Sequence, residues 1–487
     1  MIKREDGFSL IYVFVFIILL GLFAVAAVHF INTSMNFFTK SVESENSIYY
    51  AEAGLNRYLY FLNANRSVDF WETEEGRELE NIDIPFEKGF YRITVIPPGS
   101  NNPNVTVQST GWVTGGRSVT VQGELTKSRF TDYVYGTNIE ELDVKDNPEI
   151  WWGTGDVVNG DLHTNGTLHI QGRPVFNGKV TYSGGLEVRQ GSKPVYRYGA
   201  PKKVAEVAFP DDNKDIADIA AANGYVFEGR TCIMVDGDKL KIRVGDGPVQ
   251  EMPLPPNGVI HVKAKDETAI GKFNIDAANV FISGELDGRL TIVADENIYI
   301  TGYDPTDWRD PSNFTRNDIT GGIVYKDDPL SGNSEDMLGL IAAKNVEILH
   351  SGWPSETGGW PDTEVTTDRQ YDPYRRRWVE VIETRIINDV SIDNINIHAA
   401  IFVHQGSFGF EQYDLGQKRE TINFVGSMFQ NRRGPVGTFN SSSGAQMTGY
   451  SKNYNYDPRM KRYSPPHFVM PKDANWYIVN WGVLAEE

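Results

Sequence analysis

Apolar residues fill the first part of this chain. A short charged leader, residues 1–7, precedes an apolar run from Phe8 to Ile31, and no Asp, Glu, Lys or Arg occurs from Phe8 until Lys40. An α-helix rises 1.5 Å per residue, so about 20 apolar residues are enough to cross the hydrocarbon core of a bilayer. The pattern predicts a helix that enters a membrane.

The helical pattern continues beyond the apolar run. Apolar side chains recur there at three- and four-residue intervals, which is the spacing of one helix face. They are Ile48, Ala51, Leu55, Tyr58, Leu59 and Leu62. No proline occurs between Phe8 and Ile84. We therefore predict one helix over residues 8–63, with its first half in lipid and its second half packed on a soluble domain.

Period-two alternation follows the helix. Apolar residues alternate with polar ones over 91–95, 105–107 and 119–121, and Gly-, Pro- and Asn-rich loops separate the three runs. This alternation is typical of antiparallel strands with one solvated face. We predict an antiparallel β meander over residues 64–130.

The remaining residues, 131–487, predict a large β-rich domain. Short apolar runs recur between Gly, Asn and Asp, and the runs that start at Val280, Leu290 and Ile298 are ten and eight residues apart. This spacing leaves little room for crossover helices and favours stacked rungs of a parallel β-solenoid. A β-sandwich remains the alternative. One helical insert is expected near residues 215–222. The fold class is therefore mainly β with a long N-terminal α-helix.

The start of the apolar run carries a candidate processing site. Gly7-Phe8-Ser9-Leu10 resembles the type III signal of type IV pilins and pseudopilins. The resemblance implies that residues 1–7 are a cytoplasmic leader, that a prepilin peptidase cuts between Gly7 and Phe8, and that Phe8 becomes N-methylated. A secretory signal with a cleavage site near Ala24–Ala27 is the competing interpretation, and an uncleaved N-terminal anchor is another.

Tyr12 departs from the pilin pattern. Most pilins carry a glutamate five residues into the mature chain, and this chain has Tyr12 at that position. The absence of the glutamate is similar to the K-type minor pseudopilins found at filament tips. Leu10, Tyr12 and Phe14 form the candidate assembly segment. Residues 51–56, Ala-Glu-Ala-Gly-Leu-Asn, also resemble a segment common in PilX-type minor pilins.

Charge and cysteine content limit the function classes. The formal net charge is −19, whereas general nucleic-acid binders present clustered Lys and Arg to phosphate, so we expect no nucleic-acid partner. The single cysteine, Cys232, excludes an intramolecular disulfide framework and is expected to be a buried apolar residue.

Candidate chemistry is sparse. The sequence has no His-Glu-x-x-His, no phosphate-binding Gly loop and no Gly-x-Ser-x-Gly, so we expect no enzyme. His163 and His169 are expected to be strand side chains. Asp304, Asp307 and Asp310 are weak candidates for Ca²⁺, which takes oxygen ligands, and no cofactor is otherwise predicted.

Aromatic and basic residues in loops are further candidates. Trp151, Trp152, Trp353 and Trp360 could stack on sugars, although core packing is the better expectation. The islands Arg375–Arg377 and Arg432–Arg433 are expected to be solvated or ion-paired.

Together these features predict a minor, priming or tip subunit of a type IV pilus or a type II secretion-like filament. Its partners would be other pilins or pseudopilins, the prepilin peptidase and the inner-membrane assembly platform, with a surface glycan or cell ligand as a further candidate. It would lie in the cytoplasmic membrane before assembly and in an extracellular or periplasmic filament afterwards. A membrane-anchored surface adhesin that binds glycans is the alternative.

Overall fold

The computed structural model describes residues 8–65, 70–98, 104–142, 148–210, 212–309, 319–331, 334–354, 363–440, 445–472 and 474–484. The chain forms two compact units, Met1–Lys127 with Asn475–Glu487 and Ser128–Ala474. The helices are α1 (Phe8–Ala64), α2 (Glu74–Glu78) and α3 (Lys214–Asn223).

Strands make up most of the rest. In chain order they are β1 (Ile84–Phe86), β2 (Gly89–Ile96), β3 (Val105–Val113), β4 (Val119–Lys127), β5 (Tyr135–Ile139), β6 (Val157–Asn159), β7 (Leu162–Thr164), β8 (Leu168–Ile170), β9 (Val175–Phe176), β10 (Val180–Tyr182), β11 (Leu186–Val188), β12 (Val195–Tyr196), β13 (Lys202–Lys203), β14 (Tyr225–Glu228), β15 (Thr231–Gly237), β16 (Lys239–Val244), β17 (Gln250–Pro253), β18 (Val259–Lys263), β19 (Val280–Leu286), β20 (Arg289–Ala294), β21 (Ile298–Ile300), β22 (Gly322–Tyr325), β23 (Met337–Ala342), β24 (Val346–Ile348), β25 (Thr363–Asp372), β26 (Arg377–Ile386), β27 (Asn394–Val403), β28 (Phe408–Phe410), β29 (Lys418–Arg432), β30 (Gly449–Tyr456) and β31 (Trp476–Val483). The structure is mainly β with a long N-terminal helix, as the sequence predicts.

The smaller unit packs the second half of α1 on an antiparallel sheet of order β1-β2-β3-β4-β31. The predicted apolar stripe forms the helix side of this core, with Ala51, Leu55, Tyr58 and Leu62 buried and Ile48 and Leu59 partly buried. The sheet side consists of inward-facing residues from alternating positions of β2, β3 and β4. Because apolar residues alternate with polar ones in the sequence, one face of the sheet is apolar and packs against the helix.

Glycine allows the helix to approach the sheet closely. A Cβ atom at Gly111 in β3 would lie 2.9 Å from the carbonyl carbon of Tyr50 and in contact with the backbone of Ser47 and Ala51. The Ser47 hydroxyl lies within hydrogen-bond distance of the carbonyls of Glu43 (2.9 Å) and Arg117 (2.7 Å), to one of which its single O–H donates. Residue 47 thus marks the place where α1 first joins the sheet.

The last strand corrects the predicted domain boundary. All of residues 131–487 were predicted to belong to the larger domain, but β31 pairs antiparallel with β4, with Trp476 opposite Lys127. The Asn63 side chain also accepts a hydrogen bond from the Trp476 amide (2.8 Å) and donates one to the Trp476 carbonyl (3.0 Å). The larger unit is therefore an insertion between two neighbouring strands of the smaller unit.

Parallel ladders organise the larger unit, where 22 of the described strands join one sheet. Antiparallel pairing among its named strands is confined to β15-β16-β17 and to the separate hairpin β25-β26. One ladder runs β14-β18-β20-β23-β27-β29-β5-β7-β10-β13. The order shows that β29, near the end of the unit, lies beside β5 at its beginning.

Identical positions of successive strands stack along this ladder. Apolar side chains occupy one aligned column, so each strand buries its residue against those above and below. The column contains Ile260, Ile292, Leu340, Ile401, Met428, Tyr135, Leu162 and Val180. Such register is what a parallel β-solenoid requires, and the solenoid assignment itself stays a prediction.

Asparagine side chains form a hydrogen-bonded series across neighbouring strands. Their amides donate to one another in an unbroken series with distances from 2.7 to 3.1 Å. The series runs Asn177, Asn159, Asn455, Asn453, Asn423 and Asn396. Each side chain in the middle of the series donates one N–H and accepts one hydrogen bond, and the series links β27, β29, β30 and β6 side by side.

An outer layer covers one face of the same ladder. The predicted helical insert is present as α3, and its residues Ile216 and Ala220 pack on Val259 and Val293. The segment after β30 runs back across the strands, and the carbonyl of Ser464 accepts a hydrogen bond from Arg289 (2.8 Å). Outward positions of these strands are therefore apolar because further chain covers them.

Candidate functional site

The first half of α1 is a candidate membrane or assembly segment. Every described residue from Leu10 to Val42 is exposed, including the large apolar side chains, whereas burial begins near Ser47. Within the described residues, α1 is the helix that is long and apolar enough to cross a membrane. Exposed apolar surface of this extent has an unfavourable free energy in water, so lipid or protein must cover it in its working environment.

The predicted assembly residues lie on two faces of this helix. Leu10 and Phe14 are four residues apart and share a face, while Tyr12 is rotated by about 200° from Leu10. Their side chains are 71%, 67% and 69% exposed, respectively. Phe8 begins the helix, but its side chain and Gly7 lie outside the described residues.

The candidate calcium ligands that the structure describes, Asp304 and Asp307, form contacts within their own turn. Asp304 accepts hydrogen bonds from the amide (2.8 Å) and hydroxyl (2.6 Å) of Thr306, and Asp307 pairs with Arg309. Asp310 lies outside the described residues. No group of three His, Cys, Asp or Glu side chains suited to a metal ion occurs in the described part of the chain. The calcium site stays a prediction without a supporting cluster.

The tryptophans singled out in the sequence are mostly internal. Trp152 and Trp353 are fully buried, and Trp353 packs against Tyr303 with ring centroids 4.3 Å apart. Trp151 is partly covered by the Arg189 guanidinium, 4.4 Å from its ring. Trp360 lies outside the described residues. Core packing therefore accounts for Trp152 and Trp353.

The two basic islands have different surroundings. Arg433 is buried and pairs with buried Glu140 at 2.9 Å, with its guanidinium 4.0 Å from the Trp152 ring. The Arg375–Arg377 island lies instead at the exposed tip of the hairpin β25-β26.

His163 is a buried strand residue, as expected. Its ring nitrogens lie 2.9 Å from the Thr181 hydroxyl and 2.9 Å from the Asn165 carbonyl oxygen. Burial lowers the pKa of His163 because it disfavours the charged imidazolium, although the Asn165 hydrogen bond acts in the opposite direction. These contacts are those of a structural residue.

A polar cavity of about 500 Å³ lies at the surface of the larger unit. Its side chains include Lys344, Glu347, Gln405, Gln412, Tyr413 and Arg432. Burial raises the pKa of Glu347 to about 7, and the nearby Glu411 carboxylate adds to the effect, while the Lys272 ammonium opposes it. Lys272 itself pairs with Glu411 at 2.8 Å. Burial and the neighbouring carboxylate thus both favour the protonated form of Glu347.

The exposed aromatic residues of the β25-β26 hairpin were not among the candidates predicted from the sequence. Tyr374 is 97% exposed and Trp378 is 66% exposed, on either side of the Arg375–Arg377 island. The sequence indicates this group by a tyrosine–arginine–tryptophan run that lies between two ten-residue stretches with strand character. Only the arginines of this run were named as candidates from the sequence.

Comparisons with known proteins give limited matches. Residues 99–185 match a family described as a domain of unknown function, DUF4900. This match begins in the smaller unit and ends in the larger one. The comparison with curated proteins found no match.

Among solved structures, the chain is similar to the competence-associated pilin ComZ from Thermus thermophilus. The sequence identity is 11%, the alignment covers 91% of this chain and 98% of ComZ, and the TM-score is 0.28.

Proposed function

We propose that this chain is a pilin-like, membrane-anchored minor subunit of a type IV pilus or of a type II secretion-like filament. The observation that carries the proposal is the division of α1 into two halves. Residues 10–42 expose an apolar surface with no folded partner in the described residues, and the helix then continues into the core of the smaller unit. One rigid helix can thus lie in lipid before assembly and among neighbouring helices afterwards.

Tyr12 supports a minor role. A carboxylate in a hydrocarbon environment is tolerated when it is paired or functional, and the residue resemblance to pilins implies that their glutamate pairs with a neighbouring N-terminus. Tyr12 cannot supply that charge. We infer that this subunit starts or caps a filament, where one such contact is dispensable.

The larger unit supports the same role on steric grounds. It contains 347 residues inserted between β4 and β31, far more than a repeating filament subunit needs. We propose that it is a parallel β-solenoid displayed outside the cytoplasmic membrane, and that the protein acts by assembly and not by catalysis. Its partners would be other pilins, the prepilin peptidase and the inner-membrane assembly platform.

The N-terminus of the mature chain tests the proposal. The full chain is produced in a bacterium that has a prepilin peptidase, and the N-terminal peptide is identified by mass spectrometry. We expect a chain that starts at N-methylated Phe8. A Gly7→Leu variant serves as the control and should keep its leader, because a bulky side chain does not fit a cleavage site made for glycine.

Other termini would contradict the proposal. An intact leader in the unaltered chain would indicate a plain anchor, and a cut after Ala26 would indicate a secreted protein. The alternative function, an anchored surface protein that binds glycans, is favoured by the exposed aromatic and basic hairpin. An intact leader together with glycan binding would support that alternative.

A further inference from the structure

The hairpin β25-β26 stands apart from the main sheet. All ten residues of each strand are paired, from Thr363 opposite Ile386 to Asp372 opposite Arg377. No other strand in the described part of the chain pairs with either of them. A two-stranded hairpin has little stability of its own in water. Its long exposed surface contributes little to the core of the larger unit and therefore requires another explanation.

One face of the hairpin places apolar side chains on both sides of an ion pair between Arg369 and Glu380 (3.7 Å). Residues directly opposite each other in an antiparallel pair share a face, and the register places Tyr371 opposite Trp378, with Val365 and Ile382 further along on the same side. These four side chains are 51–69% exposed. The rings of Tyr371 and Trp378 meet edge to face with centroids 5.7 Å apart. The result is a rigid aromatic pair that faces solvent.

The turn adds a further ring and three positive charges. Pro373 and Tyr374 begin the turn, and Arg376 has a positive φ of 49° that reverses the chain. Arg375, Arg376 and Arg377 are all exposed. We call residues Tyr371–Trp378 the hairpin tip. It combines three exposed aromatic rings with three consecutive guanidinium groups.

The charge of the tip contrasts with that of the whole chain. The chain has a formal net charge of −19, with 46 Lys and Arg against 65 Asp and Glu. The tip contains one carboxylate, Asp372 opposite Arg377, against three consecutive arginines, so its formal charge is +2. A net positive charge of this kind attracts anions. The tip is thus a positive point on an acidic molecule, and charge complementarity favours an anionic ligand.

We propose that the hairpin tip binds an acidic polysaccharide in which uronic acids alternate with uncharged sugars. The planar guanidinium groups form paired hydrogen bonds with the sugar carboxylates. The rings of Tyr371, Tyr374 and Trp378 offer large rigid surfaces, at low entropy cost, to the apolar faces of the sugar rings. The proposal goes beyond filament assembly and does not depend on how the N-terminus is processed.

Low charge density distinguishes this ligand from nucleic acid. A nucleic acid carries a phosphate at every nucleotide, so a strand that extends past the tip places many charges near an acidic protein. A polysaccharide with a carboxylate on every second sugar carries fewer charges along the same length and presents uncharged sugar faces between them. The confined size of the basic cluster therefore favours the polysaccharide.

Binding of a labelled hyaluronan oligosaccharide by the full chain in detergent tests the proposal. Fluorescence anisotropy measures the affinity, with neutral dextran and single-stranded DNA as comparison ligands. Changing Arg375, Arg376 and Arg377 together to Gln should weaken hyaluronan binding by about tenfold or more. The matched control changes Arg197, Lys202 and Lys203 to Gln, which removes three exposed positive charges from the same unit and should leave the affinity within about twofold.

The aromatic part is tested separately. Trp378→Ala should weaken binding by about tenfold, and Trp378→Tyr should restore most of the affinity because it keeps a ring. Raising the salt concentration from about 0.05 to about 0.5 M should weaken binding because it screens the arginines. Unchanged affinity in the triple arginine variant, equal binding of dextran, or tighter binding of DNA would each overturn the proposal. None of these results bears on cleavage before Phe8.

Discussion

The raised pKa of Glu347 makes the stability of the larger unit depend on pH. Burial raises its pKa from 4.5 to about 7 in the folded chain. The folded state then binds a proton more readily than the unfolded state, so stability falls as pH rises from about 4.5 to about 7. Each pKa unit corresponds to about 1.4 kcal/mol, so the full shift destabilises the unit by about 3 kcal/mol above pH 7. At pH 5 the cost is less than about 1 kcal/mol.

Glu347→Gln removes this titration while it keeps the shape of the side chain. Hydrogen exchange in increasing urea, read from peptides that contain β23 and β24, measures the stability of this region at pH 5 and pH 8. The variant should gain about 2–3 kcal/mol relative to the unaltered chain between the two pH values. Glu285→Gln, which removes an exposed carboxylate from β19, controls for the loss of one negative charge. A Glu347→Gln gain no larger than that of Glu285→Gln would show that the buried Glu347 carboxylate does not destabilise the unit.

Two further substitutions test packing in each unit. Gly54→Ala should destabilise the smaller unit by about 1–2 kcal/mol because the new Cβ would lie 2.7 Å from the Tyr91 ring and also against Ser109. This clash outweighs the helix preference of alanine, which is about 1 kcal/mol. A higher melting temperature by circular dichroism would contradict this contact. Glu140→Gln should cost about 3 kcal/mol in urea unfolding because it leaves buried Arg433 without its carboxylate partner. A loss below about 1 kcal/mol would show that the Ile150 carbonyl, which also accepts from Arg433, or another group compensates the charge.

Local sequence signals predict the smaller unit well. The stripe Ala51, Leu55, Tyr58 and Leu62 has the period of a helix, and its partners on β2–β4 have the period of strands. Both patterns arise because each element buries one face against the other. The elements α2 and β1 were not predicted, and β31 was assigned to the larger unit. The pairing of β31 with β4 places Trp476 opposite Lys127, although the whole larger unit separates these two residues in the sequence. No local sequence pattern predicts a contact between residues so far apart in the chain.

The larger unit shows where such prediction ends. Short apolar runs identify many of its strands, but the stacking order depends on contacts such as Met428 beside Tyr135. Without a strict repeat, the sequence does not reveal that the end of the unit stacks on its beginning. Buried columns require only apolar residues at matching positions, and many registers satisfy that requirement.

The candidate binding residues illustrate the same limit. Trp353 lies among Gly, Pro and Ser, which is typical of an exposed loop, yet the structure buries it against Tyr303. Trp378 lies in a regular strand, which is typical of a core residue, yet it is two-thirds exposed. Whether a tryptophan can reach a ligand depends on what packs over its strand, and residues distant in sequence decide that.

The insertion of the larger unit leads to a final prediction about how the chain is built. Lys127 and Trp476 are directly opposite each other in an antiparallel pair, so the chain leaves and re-enters the smaller unit at adjacent points. Replacing residues 128–475 with Asn-Gly, which favours a tight two-residue hairpin turn, should leave β4 and β31 paired. The shortened chain in detergent should keep a cooperative thermal transition and the near-ultraviolet signal of the Trp71–Trp476 ring pair, whose centroids are 5.9 Å apart. The same deletion without Asn-Gly is the control, because a direct Lys127–Trp476 bond cannot form the turn. If the Asn-Gly chain has no transition, the smaller unit depends on its insertion, and the view of an independent pilin-like base that carries a separate display unit is wrong.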